Sequence, residues 1–472
     1  MEKIKCDICI IGAGSGGLSV AAGASQMGAD VVLIEGHKMG GDCLNYGCVP
    51  SKSLLAAAKQ AYAMGHTGDL GVTAVEPQVD YAAAKDHVAK VIETIAPVDS
   101  QERFEGFGVR VIRDWARFTD EKTVVAGAHE ITARRFVIAT GSSPFVPPID
   151  GIENVTHYTN ENIFDLRERP EHLLIIGGGP IGMEMAQAHI RLGSKVTVIE
   201  GLKALGNDDR ELAEVVIGSL QAEGVQIIEG QQARRISEAD GRITVETEGG
   251  SFTGSHLLMA VGRKVNLDKL DLKAARVKHD RAVTVGDDLR SPTNSRVYAI
   301  GDAAGRMQFT HVAGYHAGVI VRSAVLGMTW AKARQDHIPW VTYTDPELAH
   351  VGMTEAQVRA KFGGQMKVVR FNYDENDRAI AEGKTKGFIK VLVANGKPKG
   401  VSIVGAHAGE LIGMWAMAIA NGQKMSAIAN TVLPYPTLSE INKRAAGAYF
   451  SPQLFENASV KTIVQLVQKY MP

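Results

Sequence analysis

The feature that most constrains this chain is a unit written twice. Residues 6–17 read CDICIIGAGSGG, an apolar strand pattern running into Gly12, Gly14 and Gly17. The helical LSVAAGASQMG follows, then DVVLIE, which ends on Glu35. Residues 173–182 read LLIIGGGPIG, with Gly177, Gly179 and Gly182, followed by MEMAQAHIRLG and by KVTVIE, which ends on Glu200. In both copies 23 residues separate the first glycine from the acid. One GxGxxG is weak evidence. Strand, glycines, helix, strand and acid, in order and twice at one spacing, are specific. The glycines let the backbone approach a pyrophosphate at a helix N-terminus, where free N–H groups and the helix dipole favour an anion. The acid accepts from a ribose 2′-hydroxyl. The chain is therefore expected to be α/β, with two Rossmann-like dinucleotide-binding domains. Glu200 would repel a 2′-phosphate, and no arginine occurs in the following GLKALGNDD, so the mobile nucleotide is expected to be NAD rather than NADP. Lys203 is the nearby cation weighing the other way.

The 472 residues suffice for about three domains. A net charge of −1 without blocks of like charge gives no nucleic-acid footprint. No apolar run reaches the ~18 residues that span a membrane. The opening MEKIKCDICIIGAG imitates a signal peptide, but Asp7 and the glycine spacing argue against one. Four cysteines do not make a disulfide scaffold, so a cytoplasmic protein is expected, in which a cysteine pair reads as catalytic rather than structural.

Two of those cysteines lie in residues 40–52, GGDCLNYGCVPSK. In a regular helix Cys43 and Cys48 would stand ~500° and ~7.5 Å apart. A disulfide needs Cα atoms ~4.4–6.8 Å apart, so the pair can bond only if the segment turns, which Gly47 and Pro50 permit. Pro50 also suits the first turn of the helical SKSLLAAAKQAYAMG, and a helix start beside Cys48 would lower its thiol pKa. Cys6 and Cys9 form a CxxC on the first strand. Three apart, they are expected on opposite faces, as core residues rather than metal ligands.

GGDCLNYGCVPSK resembles the redox-disulfide motif of the class I pyridine nucleotide–disulfide oxidoreductases, which include dihydrolipoamide dehydrogenase, glutathione reductase and mercuric reductase. The resemblance runs through VIATGSSP (137–144), MAVGRKVN (259–266, with Val265 where proline is usual), VYAIGDAAG (297–305) and TYTDPELAHVGMTE (342–355). It implies FAD on the first fingerprint and NAD(H) on the second. The flavin domain would be split, 1–149 and 265–335, around an NAD domain, 150–264, with a C-terminal α+β interface domain, 338–472, building a homodimer whose active site is shared between subunits. Cys48 matches the thiol nearest the flavin, Cys43 the interchange thiol that meets substrate, Lys52 the lysine near flavin N5 and Glu184 its carboxylate partner. Asp302 matches the ligand of the ribityl chain. Gly41, Ala116, Thr140, Gly141, Thr310 and His311 are implied at the flavin, and Gly262 at the NAD site. His316 follows the same motif, and His407 is expected to be structural or near the dimer seam.

The family's dihydrolipoamide and glutathione enzymes end in a His-Pro-Thr segment followed by a glutamate. Here the segment is LPYPTLSE, which keeps Glu440 but puts Tyr435 at the histidine position. Tyrosine titrates near ~10 and histidine near ~6.5, so a phenol is a poor base for a thiol at pH 7. Mercuric reductases resemble the chain in having tyrosine there, but they carry a C-terminal cysteine pair, and here no cysteine follows Cys48. The first expectation is an FAD-dependent, NAD(H)-linked dithiol/disulfide oxidoreductase of dihydrolipoamide dehydrogenase type, acting on a small or carrier-borne substrate. The second is a mercuric or cupric ion reductase using the same thiols with Tyr435. The third is a non-catalytic, FAD-bearing subunit of a complex.

Overall fold

The computed structural model describes residues 1–68 and 70–471. The first strand, Glu2–Ile11, is apolar through its C-terminal half and lies at the centre of a seven-stranded sheet. Runs of this kind are buried on both faces, which suits parallel pairing. It pairs in parallel with the acid-ending strand Val31–Ile34 on one side and with His129–Ile138 on the other. The far edge of His129–Ile138 is divided. Its first half takes the antiparallel strand Thr123–Ala126, and its end takes Val297–Ala299 in parallel from much later in the chain.

The second fingerprint builds the same arrangement. His172–Ile176 pairs in parallel with Lys195–Glu200 and His256–Met259, and Gln226–Glu229 extends the sheet beyond Lys195–Glu200. An antiparallel meander over residues 235–254 precedes the last strand of that sheet. Ser142–Pro144 and Arg263–Val265 pair as a two-stranded ribbon and bring two distant segments together. Residues 339–405 form a five-stranded antiparallel sheet. The helix Ala408–Ala420 packs on it through the fully buried Trp415, whose indole N–H donates to Asn442 Oδ1 at 2.8 Å.

The expectation for Cys6 and Cys9 needs correction. Both are buried, but in one apolar cluster with Ile4 and Ile11, while Ile8 and Ile10 face another. The strand's alternation slips at Asp7, where the amides of Asp7 and Ile8 both donate to the Asp30 carbonyl, at 3.0 and 3.1 Å. The register with His129–Ile138 is the same on both sides of Asp7, and Ala133 and Phe136 share the cluster of Cys6 and Cys9, so the two strands change face together. Among the described residues no helix is long and apolar enough to cross a membrane.

Candidate active site

The two glycine turns are built alike. Gly12 and Gly177 have φ of +108° and +113°, the region open to glycine, and a side chain on either would strike the Ala139 or Ala260 carbonyl. A Cβ on Gly17 or Gly182 would lie 1.9 Å from the carbonyl oxygen of Gly12 or Gly177. These four glycines serve turn and helix packing. The middle glycine differs. At Gly179 a Cβ meets no described atom within 4 Å, and at Gly14 only Gly41 Cα at 3.9 Å. Nothing among the described residues demands glycine there, whereas a pyrophosphate lying against the helix N-terminus would. The acids repeat the pattern. Glu35 accepts the N–H groups of Ala13 and His37, each at 2.7 Å. Glu200 accepts those of Gly178 and Leu202 at 2.6 and 2.8 Å. Each carboxylate thus fixes its glycine turn and keeps lone pairs for a ribose hydroxyl.

Two adjoining cavities open from the first turn. One of about 400 Å³ is lined by Gly12, Glu35, Ala116, Thr140, Gly141 and Trp115 among others. The second, about 510 Å³, is lined by Cys43, Cys48, Lys52, Glu184, Asp302, Thr310 and His311. Gly14, Gly41, Asp42, Tyr46, Gly141 and Ser142 line the first, and all but Gly41 line the second too. The residues present fit an extended dinucleotide, with a nucleotide lobe and a ring lobe meeting at the pyrophosphate turn.

The chain turns between the cysteines. A short helix, Gly41–Asn45, holds Cys43, and Cys48 starts the helix Cys48–Gly65. Both are free thiols lining the second cavity. Cys48 is drawn down to about 6, first by the Cys43 S–H, then, against the opposing effect of burial, by the Thr310 hydroxyl and the Lys52 ammonium. Cys48 Sγ stands 3.4 Å from Thr310 Oγ1. Cys43 is pushed far up, first because its proton is held by Cys48 and then by burial. Lys52 Nζ donates to Glu184 Oε2 at 2.7 Å and lies 4.6 Å from the Tyr343 ring centre. Glu184 is buried, and its other oxygen accepts the Tyr343 N–H at 2.9 Å. Ile181 and Met185 line the same cavity, so the second nucleotide unit and the thiol pair face one chamber.

Sequence reading missed a polar chain in that chamber. Arg263 pairs with Asp42 at 2.9 Å and donates from Nε to Ser142 Oγ at 2.7 Å, and Ser142 donates to Asp302 Oδ2 at 2.5 Å. Burial pushes the Asp302 carboxyl up. MAVGRKVN contained the signal, an arginine directly after Gly262, but its partners lie on the facing ribbon strand and on the cysteine segment. It also missed Arg210, one residue beyond GLKALGNDD, which shares Glu229 with Lys203. Gly262, at φ +135°, has open space around it.

The structure does not bring Tyr435 and Glu440 to the thiols of the same protomer. Neither lines the chamber. Tyr435 is 67% exposed, and its hydroxyl donates to Asp377 Oδ2 at 2.8 Å, which first among its neighbours raises the phenol's pKa. His311 Nε2 bonds the Pro339 carbonyl at 2.8 Å, His316 is buried and accepts the Gly301 N–H, and His407 caps the helix Ala408–Ala420.

The profile of the family "Pyridine nucleotide-disulphide oxidoreductase" matches residues 6–317, and that of its dimerisation domain matches residues 338–446. A mercuric reductase of Lysinibacillus sphaericus is 33% identical over 449 residues, 93% of this chain and 82% of its own. A dihydrolipoyl dehydrogenase of Staphylococcus aureus is 32% identical over 458 residues, 94% of this chain and 96% of its own. Among solved structures, the Cu(II) complex of the HOCl-induced flavoprotein disulfide reductase RclA from Escherichia coli superposes with a TM-score of 0.84 at 28% identity, over 93% of this chain and 99% of that one.

Proposed function

The chain belongs to the pyridine nucleotide–disulphide oxidoreductase family, whose members use FAD and NAD(P)H, and we propose that it exchanges an electron pair between NAD(H) and a dithiol or disulfide substrate through Cys43 and Cys48. One observation carries this reading: the Cys43 and Cys48 thiols share a chamber with an ion pair, the half-buried Lys52 held at 2.7 Å by the buried Glu184. A flavin in the two-lobed slot would supply the relay between nicotinamide and disulfide. Gly12, Gly14, Gly17, Glu35, Gly41, Ala116, Thr140, Gly141, Asp302 and His311 would hold it, and Gly177, Gly179, Gly182, Glu200 and Gly262 the NAD. Lys52, fixed by Glu184, places positive charge where negative charge develops. Cys48 keeps its electron pair as thiolate, with Thr310 donating to it. Cys43 keeps its proton until it attacks substrate sulfur, and when Cys48 then closes the Cys43–Cys48 disulfide the departing substrate sulfur takes up a proton.

The flavin unit comprises 1–149 and 265–335, the NAD unit 150–264 and the interface unit 338–472. Two chains associate through the last of these, and Tyr435 and Glu440 of the partner subunit complete the substrate side. Four cysteines in 472 residues, too few for a disulfide scaffold, suit a reducing compartment, the cytoplasm.

The test is NAD reduction by dihydrolipoamide across pH 6–10, with Tyr435→His and Cys48→Ser alongside. The reading expects turnover that Cys48→Ser abolishes while FAD is retained. Turnover that survives Cys48→Ser would sink it. A second reading, a mercuric or cupric ion reductase, is favoured by the tethered phenol at 435, which offers a thiol no base near neutrality but leaves two sulfurs for a soft ion. A slow natural enzyme that gains dihydrolipoamide turnover with Tyr435→His favours this second reading.

A further inference from the structure

The loop 201–209 joins the strand Lys195–Glu200 to the helix Arg210–Ala222. In a parallel α/β sheet, nucleotides lie beyond the carboxyl ends of the strands, so this loop borders the adenosine of a dinucleotide on the second fingerprint. Glu200 ends its strand, and its partner in register on the next strand is Glu229. Two carboxylates therefore stand side by side at the strand ends, roughly 4.8 Å apart along the sheet.

They are employed differently. Glu200 binds backbone alone, the N–H groups of Gly178 and Leu202. Glu229 collects the local cations. Arg210 grips it as a fork, Nη1 to Oε1 and Nη2 to Oε2, each at 2.8 Å, with Nη2 also 2.6 Å from Glu214 Oε1 on the exposed side, and Lys203 Nζ approaches Glu229 Oε2 at 3.3 Å. Glu229 also accepts the Ala204 N–H at 2.8 Å. Lys203 and Arg210 are the only Lys or Arg residues from 201 to 210. A 2′-phosphate is recognised by such groups when they are free, guanidinium by a fork and ammonium as a point charge. Here both are engaged before a nucleotide arrives.

We propose that Glu229 is a specificity-determining residue, which selects NADH over NADPH by withholding Arg210 and Lys203 from the 2′-phosphate. The inference rests on the NAD-binding reading of the second fingerprint and deepens it. Glu200 rejects the phosphate by its own charge, while Glu229 removes the countercharges that would offset that rejection. Without Glu229 the carboxylate still holding Arg210 is the exposed Glu214, and the fork and Lys203 can turn to a phosphate. The far end of the loop is anchored independently: Lys390 Nζ donates to Asp209 Oδ2 at 2.6 Å and Trp340 Nε1 to Asp208 Oδ1 at 2.8 Å. A change at position 229 therefore alters charge more than loop position.

The variant is Glu229→Gln, which keeps an acceptor for the Ala204 N–H and removes the charge. NADH, NADPH and adenosine 2′,5′-bisphosphate are titrated into the FAD-loaded protein by calorimetry, and flavin bleaching by each reduced nucleotide is timed. The affinity ratio should move toward NADPH by about 10- to 100-fold, with the bisphosphate following it. The gain should vanish in Glu229→Gln/Arg210→Gln/Lys203→Gln. A ratio unmoved by Glu229→Gln overturns the proposal, and so does a gain that survives in the triple variant. Should Glu229→Gln not fold, Arg210→Gln/Lys203→Gln on the natural background decides. It should bind NADPH as weakly as the natural protein, and a tenfold loss would mean that the cations were free all along. Failure of the natural protein to bind NADH would instead remove the reading of the fingerprint itself, and this inference with it.

Discussion

At Cys48 several neighbours decide one proton. The Cys43 S–H does most to hold the thiolate, burial opposes it, and the Thr310 hydroxyl and Lys52 ammonium add to it, giving a pKa of about 6 against an ordinary 9.0. A depressed pKa in the folded state means that the thiolate's contribution to stability is fully present above the ordinary value and is lost as pH falls through about 6. The same window governs reactivity, because the thiolate is the nucleophilic form. Thr310 is the one of these groups that can be removed without touching a thiol or the Lys52–Glu184 pair. A hydrogen bond to a charged group is worth ~1.5–3 kcal/mol, and one pKa unit is about 1.4 kcal/mol. Solvent in the open chamber screens part of this, so the lower end applies. Thr310→Val should raise the thiolate midpoint of the reduced protein by about one pH unit. The ultraviolet thiolate absorbance, taken as the difference from Cys48→Ser, measures it, and an unmoved midpoint would remove Thr310 from the set.

The strand–turn–helix unit separates glycines that fold the chain from glycines that make room for a ligand. Gly182 faces the Gly177 carbonyl, where a Cβ would lie 1.9 Å from oxygen, whereas Gly179 faces open space. Gly182→Ala should therefore push the helix Pro180–Arg191 off its sheet and destabilise the protein by roughly 1–3 kcal/mol, as overpacking does. Gly179→Ala should cost about 0.5 kcal/mol or less, the range of a helix N-cap change, yet weaken NADH binding at least tenfold. Thermal unfolding and NADH titration on the two variants separate the effects. Full NADH affinity in Gly179→Ala would mean that the space is not the pyrophosphate's. The contrast also shows what a sequence can carry. The fingerprints were legible because strand, turn, helix and acid are local and their spacing is set by backbone geometry. The thiol segment was legible for the same reason. The chain Asp42–Arg263–Ser142–Asp302 was not, because it exists only once the ribbon Ser142–Pro144/Arg263–Val265 has formed. The pairing of Arg210 with Glu229 likewise depends on strand order, and the slip at Asp7 on a shared carbonyl of a neighbouring segment. Composition and periodicity carry none of these.

The whole protomer lines both lobes of a cofactor slot, and Tyr435 and Glu440 lie outside that slot. Both lobes of the slot are lined by residues of one chain, down to Cys48, Lys52 and Glu184. Tyr435 and Glu440 lie in the segment matched by the dimerisation profile, away from that chamber. The same segment leaves Val432 90% exposed, and Met417 is also open to solvent. A valine this exposed, three residues before Tyr435, gains by burial against a second copy, at roughly 1.5–3 kcal/mol for a fully buried side chain. Placing a carboxylate there in both copies would reverse that gain and add the cost of burying charge. Val432→Asp should therefore shift the protein toward monomers in sedimentation velocity while leaving FAD bound, because both lobes of the slot are lined by residues of one chain. Flavin reduction by NADH should persist in the monomer, since Ile181, Glu184 and the thiols share one chamber within the chain. On the proposal that Tyr435 and Glu440 of the partner subunit complete the substrate side, turnover of dithiol or disulfide should fall with the dimer fraction. A monomer with undiminished substrate turnover would show that Tyr435 and Glu440 act on neither subunit's thiols. A Val432→Asp protein that remains dimeric and active would place the contact elsewhere on the residues 338–446, and the exposure of Tyr435 would then need a different partner.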